Sequence, residues 1–542
     1  MAAVASARPG AGSDAVARSE APAAGNLWAI ALTVTMATFM ELLDTSISNV
    51  SLPHIAGGLG TSYDESTWIL TSYLVANAVI LPMSAWLSRV FGRKRYYMMS
   101  VALFTTTSLL CGIAPSLSML IVFRVLQGLG GGGLAPVEQA ILLDTFPVEK
   151  RADAFALYSM AIVTAPAVGP PLGGWITDNF SWRWVFFINV PIGLVSLLLS
   201  NRLVHDPPEF TEERRQAWRG GQLRIDHIGI VLIAVGFACL EVVLDRGQRD
   251  DWLGSHFITT FLAIAVVAIA AAIWWEWHHD DPVVQLTLLR DRNFALACIY
   301  YFLFAVGLFG STVLIPEVLQ TLFGYTATDA RLVLGPGAAV VTLMAPFVVR
   351  ILPRIGAKRL LAASFTIAAL SMFYYSGFTS QTDYFHFALA RCFQGFGYAF
   401  MIVLVTQLAY SYLPKNKNNK GSSLMNLCRN WGASFGIAFV TTMLERRTQY
   451  HQSVLVTHLT SADGAVGQFV NGAGNYLLTR GTSGPDAIHQ SYGLISNQMT
   501  QQATMLAAMD CFHLLGLVVI LGLPLAFLIR AFTISGSPTA GH

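Results

Sequence analysis

Charge is what this 542-residue chain has little of. Only 12% of its residues are Asp, Glu, Lys or Arg, against roughly 25% in soluble domains. That shortage excludes a soluble globular enzyme, a nucleic-acid binder and a disordered chain. Cysteine is scarce too. Each of the six (Cys111, Cys239, Cys298, Cys392, Cys428 and Cys511) sits in an apolar run. None has zinc-site spacing, so they read as small buried hydrophobes. The chain lacks HExxH, GxSxG and GxxxxGK[ST] motifs, so no enzyme is expected, nor ATP-driven transport by this chain alone. His278, His279, Asp280 and Asp281 form a short run that reads as solvated charge. Residues 1–25 contain no apolar core of a signal peptide, and a disordered cytoplasmic tail is expected there.

What is present is apolar sequence: 54% hydrophobic residues and a mean hydropathy of +0.55. A membrane-crossing helix needs about 20 mostly apolar residues. Windows of that kind fall at 27–50, 67–88, 97–114, 117–142, 153–176, 184–201, 227–245, 257–276, 294–316, 332–351, 359–378, 384–412, 423–445 and 504–530. Fourteen spans place both termini on one side. Basic residues select the side facing the cytoplasm. If the termini are cytoplasmic, 23 of the 33 Lys and Arg residues fall inside and 7 outside. Arg124, Arg391 and Arg429 remain within spans. The net charge of +2 carries almost no information.

The spans repeat. VSLPHIAGGLGTSYD (50–64) resembles VLIPEVLQTLFGYTATD (313–329), FGRKR (91–95) resembles IGAKR (355–359), and RVLQGLG (124–130) resembles RCFQGFG (391–397). The separations are 263, 264 and 267 residues. Spans 1–6 and 9–14 therefore read as two six-helix halves of the same orientation, with spans 7 and 8 inserted. Parallel repeats of this kind suit a two-bundle, alternating-access carrier. The expected organisation is an N-terminal bundle (26–202), a cytoplasmic linker (203–226), an inserted pair with its loop (227–293) and a C-terminal bundle (294–530). The last contains an outside loop (446–503), and a cytoplasmic tail (531–542) follows.

Ionisable residues inside a membrane cost about 2.5–3.5 kcal/mol each, which makes every one a functional candidate. Glu41 and Asp44 share a face of span 1. Asp44 stands about 24 Å along the axis from Trp28. Span 4 runs the opposite way, so Arg124 falls at comparable depth. One reading is a desolvated carboxylate near Arg124 that exchanges a proton as its surroundings change; the other is a static ion pair. Arg124, Gln127, Gly131 and Glu138 share one continuous face of span 4. The run Gly130–Gly133 either permits close helix approach or leaves room for substrate. Glu138 reads equally as a cytoplasmic-entry carboxylate or as a residue snorkelling to the interface. Arg391 and Gln394 are the repeat counterparts of Arg124 and Gln127. Span 5 holds Pro166, Gly169, Pro170, Gly173 and Gly174, a composition that kinks a helix and permits tight packing. Met36, Phe39, Met40, Phe302, Phe309 and Phe400 are candidate lining residues for apolar ligands, each alternatively a lipid or core contact.

LLDTSISNVSLPHI (42–55), AWLSRVFGRKR (85–95), RVLQGLGGGGLAP (124–136), APAVGPPLGG (165–174), WRWVFFINVPIG (182–193) and LDRG (244–247) together resemble the major facilitator superfamily. The resemblance is to its fourteen-span drug:proton antiporters, and most closely to EmrB-type exporters, over residues 25–530. It implies an all-α fold of two six-helix bundles plus two inserted helices, in a bacterial inner membrane. The implied activity is proton-coupled export of amphipathic toxic compounds, with no cofactor beyond the proton gradient. A carrier for another solute, a fatty acid or metabolite and in either direction, is the alternative. The resemblance makes Asp44 the coupling candidate. It gives Gly92, Arg93, the span 5 prolines and glycines, and Arg429 in SSLMNLCRNWGASFG (422–436) motif roles. It also implies an EmrA-like adaptor and a TolC-like outer-membrane channel, with loop 446–503 as the contact; a disordered loop is the alternative. Ala85 and Arg89 replace the usual Gly and Asp of the motif after span 2, which puts an Asp–Arg latch at that turn in doubt. Ala165 replaces Gly at the start of the span 5 motif.

Overall fold

The computed structural model describes residues 24–147, 150–206, 226–279, 282–414, 417–457, 459 and 464–530. The expected terminal tails lie almost wholly outside these residues, as do most of the linker and the two aspartates after His279. Within them a helix stands at each of the fourteen expected windows. In the first half these are α1 (Ala24–Leu59), α2 (Trp68–Phe91), α3 (Arg93–Gly112), the pair α4 (Leu117–Gly131) and α5 (Leu134–Thr145), α6 (Arg151–Asn179) and α7 (Asn189–Leu203). The inserted helices are α8 (His227–Arg246) and α9 (His256–His278). The second half comprises α10 (Arg292–Phe323), α11 (Leu334–Ile355), α12 (Ala357–Tyr375), α13 (Tyr384–Tyr410), α14 (Asn418–Thr457) and α16 (Gly484–Ile520), with α15 (Gly464–Thr479) between the last two. Ten of the fourteen are long and apolar enough to cross a membrane.

The repeat is visible in the backbone. Gly60 and Gly324 adopt φ of 66° and 68°, and Gly92 and Gly356 adopt φ of 91° and 84°. These left-handed turns favour glycine, and each pair occupies equivalent positions of the two halves. Packing follows the same symmetry: α1 lies against α6, and α10 against α14. Glycine lets α6 approach α1, because a Cβ at Gly169 would stand 2.6 Å from Ser46 Cβ, and one at Gly173 would stand 2.9 Å from Ile47 Cγ2. Pro170 has no N–H to offer the carbonyl of Pro166. Ser46 Oγ donates to that carbonyl instead, at 3.3 Å.

The structure corrects two expectations and decides between the two readings of the glycine run. Span 4 is not one continuous helix, since α4 ends at Gly131 and α5 begins at Leu134. The glycine run does not leave room for substrate. A Cβ at Gly130 would meet the Phe104 nitrogen at 2.8 Å, and one at Gly132 the Asn77 carbonyl oxygen at 2.7 Å, so this run is a close crossing of α2 and α3. The segment 446–503 is helical rather than a loop over its described residues. The 40-residue α14 and 37-residue α16 measure about 60 and 55 Å, well beyond a hydrocarbon core of about 30 Å. Arg447 Nη2 and His451 Nε2 of α14 bind Asp510 Oδ2 of α16 at 2.6 and 2.8 Å, and α15 packs on α16.

Candidate functional site

Asp44 and Arg124 meet with no solvent exposure at either side chain. Arg124 Nη1 donates to Asp44 Oδ2 at 2.6 Å and to Gln127 Oε1 at 2.8 Å. Its Nε donates to the Ile69 carbonyl at 3.1 Å, and the guanidinium lies 4.3 Å from the Tyr73 ring centroid. Asp44 Oδ1 accepts from Asn189 Nδ2 at 2.6 Å and from Gln127 Nε2 at 3.2 Å. Asn189 is held in turn by Ser108 Oγ at 3.0 Å. Five helices thus converge on one carboxylate. A buried charge must be paired and hydrogen-bonded in this way to be tolerated. Asn189 was not singled out by sequence, although it sits within the WRWVFFINVPIG segment.

Glu41 and Glu138 are buried as well, at 7% and 0% exposure, but less completely bonded. Glu41 Oε1 accepts from Asn77 Nδ2 at 2.9 Å and from Tyr73 Oη at 3.2 Å. Glu138 Oε1 accepts from Thr35 Oγ1 at 2.6 Å. Among the described residues, the second oxygen of each is buried without a hydrogen-bond partner. Glu138 therefore does not snorkel: α5 turns it into the bundle. A buried, under-bonded carboxyl oxygen costs about 1–3 kcal/mol, and protonation converts it into a hydroxyl that needs only one acceptor.

The two halves touch at the same place. Asn430 Nδ2 of α14 donates to Asn77 Oδ1 at 3.1 Å, so Glu41 is joined to the second half through one amide. Arg429 Nη1 donates to Tyr158 Oη at 3.0 Å, and that hydroxyl donates to Asn426 Oδ1 at 3.3 Å. Arg429 also acts electrostatically on Glu41 and Glu138. Towards the end of the bundle that carries Gly92, Asn419 Nδ2 donates to Ser88 Oγ at 2.6 Å, Ser422 Oγ to the Pro136 carbonyl at 2.8 Å and Ser423 Oγ to the Leu81 carbonyl at 2.7 Å. Asn418 reaches Asp144 Oδ1 at 3.3 Å. Asp144 also pairs with the buried Arg93, so the motif after span 2 has an acid partner from α5 where its own usual acid is replaced by Arg89. Among the described residues, the hydrogen bonds joining the halves directly run from mid-bundle to this basic end, which is closed.

The second half repeats the Arg–Gln pair without the carboxylate. Arg391 bonds to Gln394, and its Nη1 and Nη2 donate to Ser311 Oγ and Thr312 Oγ1, each at 3.0 Å. Gln394 Nε2 donates to Tyr398 Oη at 3.1 Å. Of the six apolar candidates, Met40 and Phe400 are packed into the core at 0% and 3% exposure. Met36, Phe39, Phe302 and Phe309 are half-buried, with Phe302 against Phe435 at 5.9 Å.

Comparison with known proteins places this geometry in context. The sequence profile of the Major Facilitator Superfamily matches residues 34–437. The chain is 36% identical to a multidrug export protein EmrB of Haemophilus influenzae, covering 92% of this chain and 95% of that one. It is 33% identical to the fatty acid resistance protein FarB of Neisseria gonorrhoeae over 95% and 97% of the two. The solved structure of the proton:xylose symporter XylE is similar in fold, with a TM-score of 0.56, 15% identity, and 89% of this chain and 94% of that one covered.

Proposed function

The chain belongs to the major facilitator superfamily, and from that premise we infer a multidrug exporter that moves hydrophobic and amphipathic toxic compounds across a bacterial inner membrane by alternating access. The protein is multi-pass, and its basic end faces the cytoplasm on the distribution of Lys and Arg. Closure at that end makes the present state the one in which the cytoplasmic side is shut.

The driving force is the proton gradient, and the proton sites are Glu41, Glu138 and Asp44 with Arg124. The observation that carries this is the relay from Glu41 through Asn77 to Asn430. When the halves separate at the basic end, Asn430 leaves Asn77 and the donors around Glu41 rearrange. A carboxyl whose bonding differs between two states binds protons differently in them. Asp44, saturated by Arg124, Gln127 and Asn189, anchors the site in this state. The half-buried Met36, Phe39, Phe302 and Phe309 are assigned to substrate, with Gln127 and Gln394 as its polar partners. Gly92, Arg93 and the proline and glycine positions of α6 are assigned to the moving turns.

The protruding α14–α15–α16 unit is assigned to a periplasmic adaptor of the EmrA type, which would pass substrate to a TolC-like channel. Exposed Tyr450, Tyr476 and Tyr492 supply apolar contact area for it. Accumulation of a fluorescent lipophilic cation in cells with and without the chain, before and after collapse of the proton gradient, tests the reading. Gradient-dependent exclusion is expected. Accumulation unchanged by the chain would overturn it. The similarity to a fatty acid resistance protein favours a second reading, export of fatty acids, for which a long-chain fatty acid replaces the cation in the same assay.

A further inference from the structure

The inserted helix α8 lies against α2 of one half and α14 of the other. Its contacts alternate between them. Phe237 packs edge-on against Trp431 of α14 at 4.9 Å. Glu241, 4% exposed, accepts from Ser434 Oγ of α14 at 2.7 Å. One turn later Asp245 accepts from Thr71 Oγ1 of α2, and the Arg246 guanidinium stands 4.7 Å from the Trp68 ring centroid. The chain then turns so that the Trp252 indole Nε1 donates to Thr442 Oγ1 of α14 at 3.1 Å. Asp251 and Trp252 hold left-handed φ values of 59° and 39°, a strained geometry that persists only where surrounding contacts impose it. Gly247 makes room for that turn, since a Cβ there would strike the Trp252 ring at 2.6 Å. The LDRG segment, which the transport site does not use, thus forms the elbow of a strap.

The hydrogen bonds to Ser434, Thr71 and Thr442 all lie beyond the Asn77–Asn430 contact, on the side away from the closed basic end. Among the described residues, the two halves make no direct hydrogen bond to each other there. We propose that Glu241 and Asp245 are positioning residues for transport: an i, i+4 carboxyl pair that ties the inserted helix to both halves across the α2–α14 seam and so sets the balance between the two access states. A hydrogen bond is lost once donor and acceptor part beyond about 3.5 Å. Rocking of α2 against α14 by several ångströms therefore cannot leave Ser434 and Thr71 both bonded to one helix. The strap favours the present state, and transport requires that it release.

The inference rests on the alternating-access reading, and its test separates the two. Spin labels at Tyr63→Cys and Gln381→Cys, both exposed positions at the strap end of opposite halves, report the opening by pulsed distance measurement in lipid nanodiscs. Cys392 and Cys428 are replaced by alanine. The unstrapped protein should shift away from the present distance population by about 10-fold, the scale of one buried hydrogen bond. Glu241→Ala, Ser434→Ala and their double variant should give the same shift, and Thr71→Val should give a second, additive one. Glu241→Gln keeps the acceptor oxygen and should restore the native distribution, with maximal export rate falling in the alanine variants while half-saturation barely moves. Native distributions in Glu241→Ala would overturn the inference. So would failure of Glu241→Gln to rescue, which would make Glu241 a proton carrier instead. A wild type confined to one distance across pH and substrate would overturn the transport reading itself.

Discussion

Asn77 bonds Glu41 with its amide nitrogen at 2.9 Å and takes Asn430 on its amide oxygen at 3.1 Å. The carboxyl and the interface between the halves therefore share one side chain, bonded at both of its ends. Asn77→Leu removes both bonds at similar volume. Gradient-driven export in everted vesicles should fall about 10- to 100-fold, as expected for the loss of one bond to a buried carboxyl and one between the halves. Glu41→Gln should abolish the response to an imposed pH difference while leaving equilibrium binding of a fluorescent substrate within about threefold.

Asp44→Asn keeps an oxygen acceptor but leaves Arg124 buried without its counter-charge. Breaking such a pair costs about 3–5 kcal/mol. Proton-driven export should be lost while membrane insertion is retained, and the detergent melting temperature should drop. The double variant Asp44→Asn/Arg124→Gln should regain much of the melting temperature without regaining transport. Full transport by Asp44→Asn would remove it from the proton site.

Gly169 and Gly174 separate packing from sequence motif. A Cβ at Gly169 would meet Ser46, whereas one at Gly174 meets nothing within 4 Å. Gly169→Val should cost about 1–3 kcal/mol through overpacking, read as a lower melting temperature and slower export. Gly174→Ala should match the wild type in both measurements.

Asp144→Ala breaks the pair with Arg93 and the contact with Asn418 together. The basic end should open more readily, raising the labelling rate of a cysteine placed at the buried Ser84 by about 10-fold. The same rate in both proteins would argue against Asp144 as a latch.

Deletion of residues 464–479 removes α15 without touching a membrane-spanning helix. Purified protein should still bind substrate, while resistance in cells that depend on a periplasmic partner should be lost. Retained resistance would free α15 from that role.

Much of this was legible because charge is rare in the chain. Asp44 and Arg124 could be placed at one depth by counting residues along two antiparallel helices, and the Arg–Gln pair betrayed the repeat. What could not be read were the uncharged partners. Asn77, Asn189 and Tyr158 look like ordinary polar residues in apolar runs, and only tertiary placement shows that they bond the acids and Arg429. The burial of Glu138 was not legible, since its place at the inner end of a polar helix face fits an entry carboxylate and a snorkelling one equally. Segment 446–503 was read as a loop because it is rich in Gln, Asn, Ser and Thr and holds no apolar run long enough for a span. Asp144 was missed because it lies far in sequence from the turn it serves.

The length of α14 has a mechanical consequence. One unbroken rod of about 60 Å carries Asn430, bonded to the Asn77 that holds Glu41, and Tyr450 on the protrusion. A rocking motion of about 10° at its inner end would swing the outer tip through roughly 10 Å. Gearing of this kind would let a protein seated on the tip sense whether a proton has been exchanged, with no ligand passing between them.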